Sequence, residues 1–318
     1  MKIYLDFSDM IEVEVRIFRS QMFQLLHCIH KGVDRMNIDL KNPRVYLAHE
    51  IRELVRDIEF DGPELLAMAV GGSVSRGQAD AFSDLELLCF WDIFPDVDTR
   101  QKLVDSIGAD LIFPIDDDQN EDNLILKDIQ VDILHNTVDY YDNMIEDAWE
   151  FHLADYQTLG FLDTITYTYP LFGEDILNAW KEKTEIYPRE LAINVIFDNL
   201  VKLHNGNIEL YIQRDNPTEY YAQMVSIQRK LFNILSAINK SYAGGYKWMY
   251  PELEAMKIAP VNVSIRFKEM FTINKFEAVE DLYALVFETL ILVKQQFPEV
   301  DFSVEETFDK FMIKRLPL

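Results

Sequence analysis

Hydrophobic and polar positions along this chain change their period twice. Over residues 10–35, Ile11, Val15, Phe18, Met22, Leu25 and Leu26 recur at helical spacing, and Asn42-Pro43 then opens a second helical pattern carrying Leu47, Ile51, Leu54 and Val55. Both stretches predict amphipathic helices. Asp61-Gly62-Pro63 is a turn signal, and the apolar run Leu65 to Val70 that follows ends in glycines, the pattern of a buried strand entering a tight turn. Leu85, Leu87, Cys89 and Trp91 alternate with Asp84 and Glu86 at the start of a second strand. Leu124 to Leu134 predicts a further strand or hairpin arm after the acidic loop Asp116 to Asp122. From Arg189 onward the period is helical, in runs near 189–212, 219–242 and 276–297. The expected fold is therefore α+β, a sheet domain followed by a helical bundle. The division expected is a helical extension over 1–40, a sheet domain over 41–170 and a helical domain over 171–318, with Thr168 to Glu174, TYPLFGE, as the junction.

Charge narrows what such a chain can bind. Its 318 residues hold 30 basic and 55 acidic side chains, a formal net charge of −25. That field repels phosphate backbones, which argues against nucleic acid as substrate and for a cationic small molecule. The longest apolar run near the C-terminus, Leu282 to Val293, is interrupted by Glu288, so no membrane span is expected. Two cysteines, Cys28 and Cys89, fit a reducing, cytoplasmic setting.

The candidate chemistry lies between the first two predicted strands. Residues two apart in a strand point the same way, so Asp84 and Glu86 should project from one face while Leu85 and Leu87 enter the core. Two carboxylates side by side call for a cation, and magnesium, with its hard oxygen ligands, suits them. Asp132, alternating with Val131 and Ile133, offers a third acid from a neighbouring strand, so the metal set is Asp84, Glu86 and Asp132. Upstream, Gly71 and Gly72 let the backbone turn sharply, Ser73 adds a hydroxyl at an expected helix start, and Arg76 lies a turn further on. Gly72, Ser73, Arg76 and Ser83 form the expected nucleotide-binding set. These parts suit in-line attack on the alpha-phosphate of a nucleoside triphosphate, with pyrophosphate leaving. Other residues carry bland readings: His135 is taken as structural, and the aromatic stretch Gly244 to Tyr250 as packing more readily than as a ring-binding surface.

The stretch VGGSVSRGQADAFSDLE, residues 70–86, resembles the phosphate-gripping turn and paired acids of the polymerase-beta-type nucleotidyltransferase superfamily. More narrowly, GSVSRGQADAFSDLELLCF is similar to the corresponding stretch of the kanamycin nucleotidyltransferases, and TYPLFGEDILNAW to that family's connection into its helical domain. The likeness runs in outline from Pro43 to Lys314-Arg315-Leu316-Pro317-Leu318. It implies a polymerase-beta-like sheet domain and transfer of AMP from ATP, with magnesium, to an aminoglycoside hydroxyl, often in a homodimer whose partner subunit helps form the site. It also implies a general base on a helix of the C-terminal half, for which Asp198 is the candidate. Two other readings stay open: a protein or RNA hydroxyl as acceptor, as in toxin and antitoxin pairs, and a nucleotide-binding module without turnover. Residues 1–40 have no counterpart in that family, and two readings stay open for them: an extension used for dimer contacts, or an upstream read-through ahead of a start at Met36.

Overall fold

The computed structural model describes residues 38–203 and 208–300. The helix expected within 10–35, Cys28, and the terminal stretch from Lys314 to Leu318 lie outside the described residues. Within them the fold is α+β, with a mixed six-stranded sheet in one compact unit and helices in another. The sheet unit takes residues up to 151 and then 161–186, and the helical unit takes 152–160 and everything from 187.

In the sheet unit, α1 (Pro43–Val55) begins where expected, with the Asn42 side chain accepting from Arg44 N–H at 2.9 Å and proline at the first position. Its buried stripe is Val45, Leu47, Ala48, Ile51 and Val55, while Leu54 faces solvent. β1 (Leu65–Val70) leads through the four-residue turn of helix α2 (Gly72–Ser75) towards β2 (Leu85–Trp91). After α3 (Val97–Ile107) and the short β3 (Asp110–Leu111), β4 (Glu121–Leu126) and β5 (Ile129–Thr137) form a hairpin. Its turn is Lys127-Asp128, both at positive φ, 53° and 63°. α4 (Val138–Glu150), α5 (Tyr156–Tyr167), β6 (Tyr169–Phe172) and α6 (Glu174–Thr184) complete the unit, α5 giving its first turn to the helical unit.

The strand order is β3-β4-β5-β2-β1-β6. Its two central strands, β2 and β5, run parallel, and every other pairing is antiparallel. Leu85, Leu87, Cys89, Val131 and Ile133 pack with Ile51, Leu103 and Val104 on one face. The opposite face of β2 is covered too: Phe90 meets Tyr141 and Trp180 edge-on at 4.9 and 5.0 Å between centroids. That double cover is why β2 stops alternating after Glu86 and runs apolar to Trp91.

The TYPLFGE segment lies within the sheet unit. Its Tyr169–Phe172 is an edge strand on β1, and Gly173, at φ +72°, caps α6. A Cβ at Gly173 would stand 2.3 Å from the Ala67 side chain and 2.6 Å from backbone atoms of β1, so only glycine fits. The sheet unit therefore continues to 186, sixteen residues beyond the boundary expected at 170.

One buried polar chain ties this unit together. Arg100 on α3, fully buried, grips Asp122 through Nε at 3.0 Å and through Nη2. Its Nη1 donates to the carbonyls of Asp116 and Gln119 at 3.1 and 2.8 Å. Asp122 also meets His135 Nε2 at 3.0 Å, and Trp91 Nε1 donates to His135 Nδ1 at 3.1 Å. With Nδ1 accepting, His135 is the neutral tautomer that donates from Nε2. Asp122, expected in an exposed acidic loop, is thus buried in β4. Burial pushes His135 below the ordinary histidine value of 6.5, against the pull of Asp122. As pH falls below about 6.5 the unfolded histidine takes up a proton that the folded one refuses, so this share of stability is present above that pH and lost below it. Urea midpoints at pH 7.5 and 5.5 should show the loss, and His135→Gln should flatten the difference.

The helical unit is built on α7 (Arg189–Leu200), α8 (Glu209–Gln213), α9 (Pro217–Ile238), α10 (Met249–Ala255), α11 (Val263–Glu269) and α12 (Lys275–Gln296). α9 buries Met224, Ile227, Leu231, Phe232 and Leu235, and α12 buries Val279, Leu282, Val286, Leu290 and Val293. Glu288, the charge that interrupts the apolar run of α12, pairs with Arg266 of α11 at 2.9 Å, and Asp281 joins the same guanidinium. Among the described residues no helix is long and apolar enough to cross a membrane.

Candidate functional site

Gly72 sits at the hinge of the site. Gly71 N–H donates to the Glu86 carbonyl at 2.9 Å, which binds the turn to β2, and Gly72 then adopts φ +58° to start α2. The space where a Gly72 Cβ would stand holds the Glu86 carboxylate, 2.4 Å from its Cδ and Oε1 and 2.7 Å from its Oε2. A side chain at position 72 and the carboxylate at position 86 therefore exclude one another. The helix that follows is a single turn, so the phosphate grip expected from a helix N-terminus there has only one turn of aligned peptides behind it.

Glu86 and Asp132 are register partners on the parallel strands β2 and β5, whose backbones lie about 4.8 Å apart. Their flanking pairs, Leu85 with Val131 and Leu87 with Ile133, enter the core, so the two acids project together from the other face. Asp132 is 7% exposed, and its carboxylate accepts from Asn123 Nδ2 at 2.9 Å and from Gln130 Nε2 at 3.1 and 3.2 Å. Sequence reasoning missed both amides. Gln130 lies two residues before Asp132 on the same strand face, a spacing that could have been read, whereas Asn123 reaches it only through the hairpin register.

Asp84 precedes β2 rather than standing in it. Its Oδ1 is buried with no hydrogen-bond partner among the described residues, and so are Ser73 Oγ and Gln78 Oε1. Three of seven such atoms thus fall within residues 73–84, a concentration that marks a place built to meet something other than the protein itself. Ser83 holds the intervening turn, Asp80 N–H donating to its Oγ at 2.9 Å and its carbonyl accepting from Arg44 Nε at 2.7 Å. Phe82, at the tip of that turn, is 97% exposed.

Arg76 pairs with the buried Asp163 of α5, its guanidinium over the Tyr167 ring at 4.1 Å, so its charge is already answered within the protein. Burial pushes the Asp163 carboxyl up and Arg76 pulls it back. Asp198 lies exposed on α7 in the helical unit. Among the described residues no three acidic, histidine or cysteine side chains are drawn together in a group that could hold a metal ion. Asp84, Glu86 and Asp132 provide the expected hard oxygens as one register pair and one separate carboxylate. Cys89, fully buried in β2, has its thiol pushed up by burial.

Residues 170–249 match the model of a family described as a domain of unknown function, DUF4037. The match begins in β6 and ends at the start of α10, so it covers the edge of the sheet unit and the first helices of the helical unit but none of the residues 72–132. No curated protein matches the chain.

Proposed function

We propose that the sheet unit is the donor half of a magnesium-dependent nucleotidyltransferase, which moves the nucleoside monophosphate of ATP or another nucleoside triphosphate to a hydroxyl of a cationic small molecule. The observation that carries this reading is the exclusion between Gly72 and Glu86, on a strand whose neighbour brings Asp132 alongside. Gly72 leaves room for the Glu86 carboxylate, and two register-paired carboxylates on one sheet face are hard oxygen donors of the kind magnesium takes.

Asp84, Glu86 and Asp132 would hold magnesium, which when bound neutralises charge on the phosphoryl oxygens. The orphaned Asp84 Oδ1 supports that role. Gly72 and Ser73 supply a close backbone approach and a free hydroxyl for phosphate oxygens. The acceptor hydroxyl oxygen attacks the alpha-phosphorus, the bond to the beta-phosphate oxygen breaks, and pyrophosphate leaves. Its proton passes to a carboxylate acting as general base. The 25-charge acidic excess favours a polycationic acceptor of the aminoglycoside kind.

An acceptor screen with MgATP, scored by pyrophosphate release, tests the proposal. Release that depends on an amino-sugar or other cationic hydroxyl compound is expected, and no release with any acceptor would remove it.

A further inference from the structure

The −25 chain keeps one cleft free of acids. α9 carries Tyr221, Val225, Arg229 and Asn233 at spacings of four, with Ala222, Ser226 and Lys230 beside them, so one stripe of the helix is polar and basic. On sequence alone such a stripe is an ordinary solvated face. In the helical unit it is instead the wall of an open cleft of about 640 Å³, opposed by Asn199 and Lys202 from the end of α7 and by Tyr246. No aspartate or glutamate lines it, and no described carboxylate forms an ion pair with Lys202, Arg229 or Lys230.

The cations are also held in place. The Arg229 guanidinium lies over the Tyr246 ring at 4.6 Å, and Tyr246 stacks on Tyr156 with 26° between the planes. Asn233 Nδ2 bridges to the Tyr246 hydroxyl at 3.3 Å and to Asn199 Oδ1 at 3.2 Å. Lys230 Nζ spends one of its three donors on the Lys202 carbonyl at 2.7 Å, which leaves two. Burial, and then the charge of Lys202, lower the pKa of Lys230. Lys202 and Lys230 are thus gathered where they repel one another, with Arg229 in the same lining and no protein acid among the lining residues, an arrangement that an anion relieves.

We propose that this cleft binds a small phosphorylated molecule carrying at least two negative charges. The Tyr246 ring already meets Arg229 and Tyr156, so recognition falls on phosphoryl oxygens through the cations and amides rather than on a stacked ring. The site is built wholly from the helical unit and does not rest on the transferase reading.

The test is calorimetric titration of the full chain with inorganic pyrophosphate in magnesium-free buffer. Binding is expected that weakens with salt and that falls by at least about tenfold in Arg229→Gln and in Lys230→Gln. Should either variant fail to fold, mass spectrometry of wild-type protein treated with an acetylating reagent reads the same contact, since pyrophosphate should then shield Lys202 and Lys230. No binding, or binding indifferent to Arg229→Gln and Lys230→Gln, would each overturn the proposal. The second of these would place the anion outside this cleft and leave the transferase reading standing.

Discussion

Gly72→Ala is expected to leave the protein folded and to remove the proposed nucleotidyl transfer. The two halves of that outcome come from different atoms. At φ +58° an alanine is strained by about 1–2 kcal/mol, which in a chain of this size lowers the melting temperature by only a few degrees. The new Cβ, however, cannot remain 2.4 Å from the Glu86 carboxylate, and that carboxylate is the far end of a flexible side chain. It swings aside while the backbone stays, so the strain is relieved at the expense of the pair with Asp132. Turnover should fall by about 100-fold to 1,000-fold, the range for removing one preorganised electrostatic partner. Asp84→Asn provides the comparison without a clash. It keeps the shape, removes a buried carboxylate oxygen that has no hydrogen-bond partner among the described residues, and should lose the proposed pyrophosphate release while melting no lower than wild type. Wild-type release from both variants would mean that transfer does not occur at these strands.

The parts of this arrangement that a one-dimensional reading captured are those set by local spacing. Leu65–Val70 runs as a strand over the expected residues because an apolar run before two glycines has few other fates, and Asn42-Pro43 starts α1 because both residues are suited to a helix start. The pairing of Glu86 with Asp132 depends on a strand order that brings positions 46 residues apart into parallel register. Two alternating patterns hint at this, without fixing it. Arg76 shows the limit: its position one turn after Ser73 suggests phosphate, but its partner Asp163 lies 87 residues on, and no spacing announces an ion pair of that separation. Arg229 and Lys230 fail for the opposite reason. A helix surface rich in charge looks alike whether it meets water or lines a cleft, and only the opposing Lys202, Asn199 and Tyr246 distinguish the two.

Arg100 is the residue whose loss should cost the fold most. It reads as a surface residue in VDTRQKLVDSI, yet it is fully buried, and its Nε, Nη1 and Nη2 donors all have partners. Arg100→Met removes the guanidinium and leaves Asp122 buried, with His135 as its remaining side-chain partner and the Asp116 and Gln119 carbonyls without their donor. Breaking a buried pair from one side costs roughly 3–5 kcal/mol, because the surviving charge is stranded rather than because the pair was intrinsically strong. For a protein of this size that is a fall of about 10 °C in melting temperature. The same reasoning fixes the sign of the double variant. Arg100→Met with Asp122→Leu removes both charges and returns apolar volume to the space between α3 and β4, so it should recover a large part of the loss. A double variant as unstable as the sum of its single variants would show that Arg100 acts through the Asp116 to Gln119 loop and not through Asp122. Because Glu121 to Leu126 pairs with β5 along the stretch that carries Asp132, weakening this anchor should also loosen Asn123 and lower transfer activity before the protein unfolds. That order of loss, activity before ellipticity on heating Arg100→Met, is the signature that links the buried chain to the site.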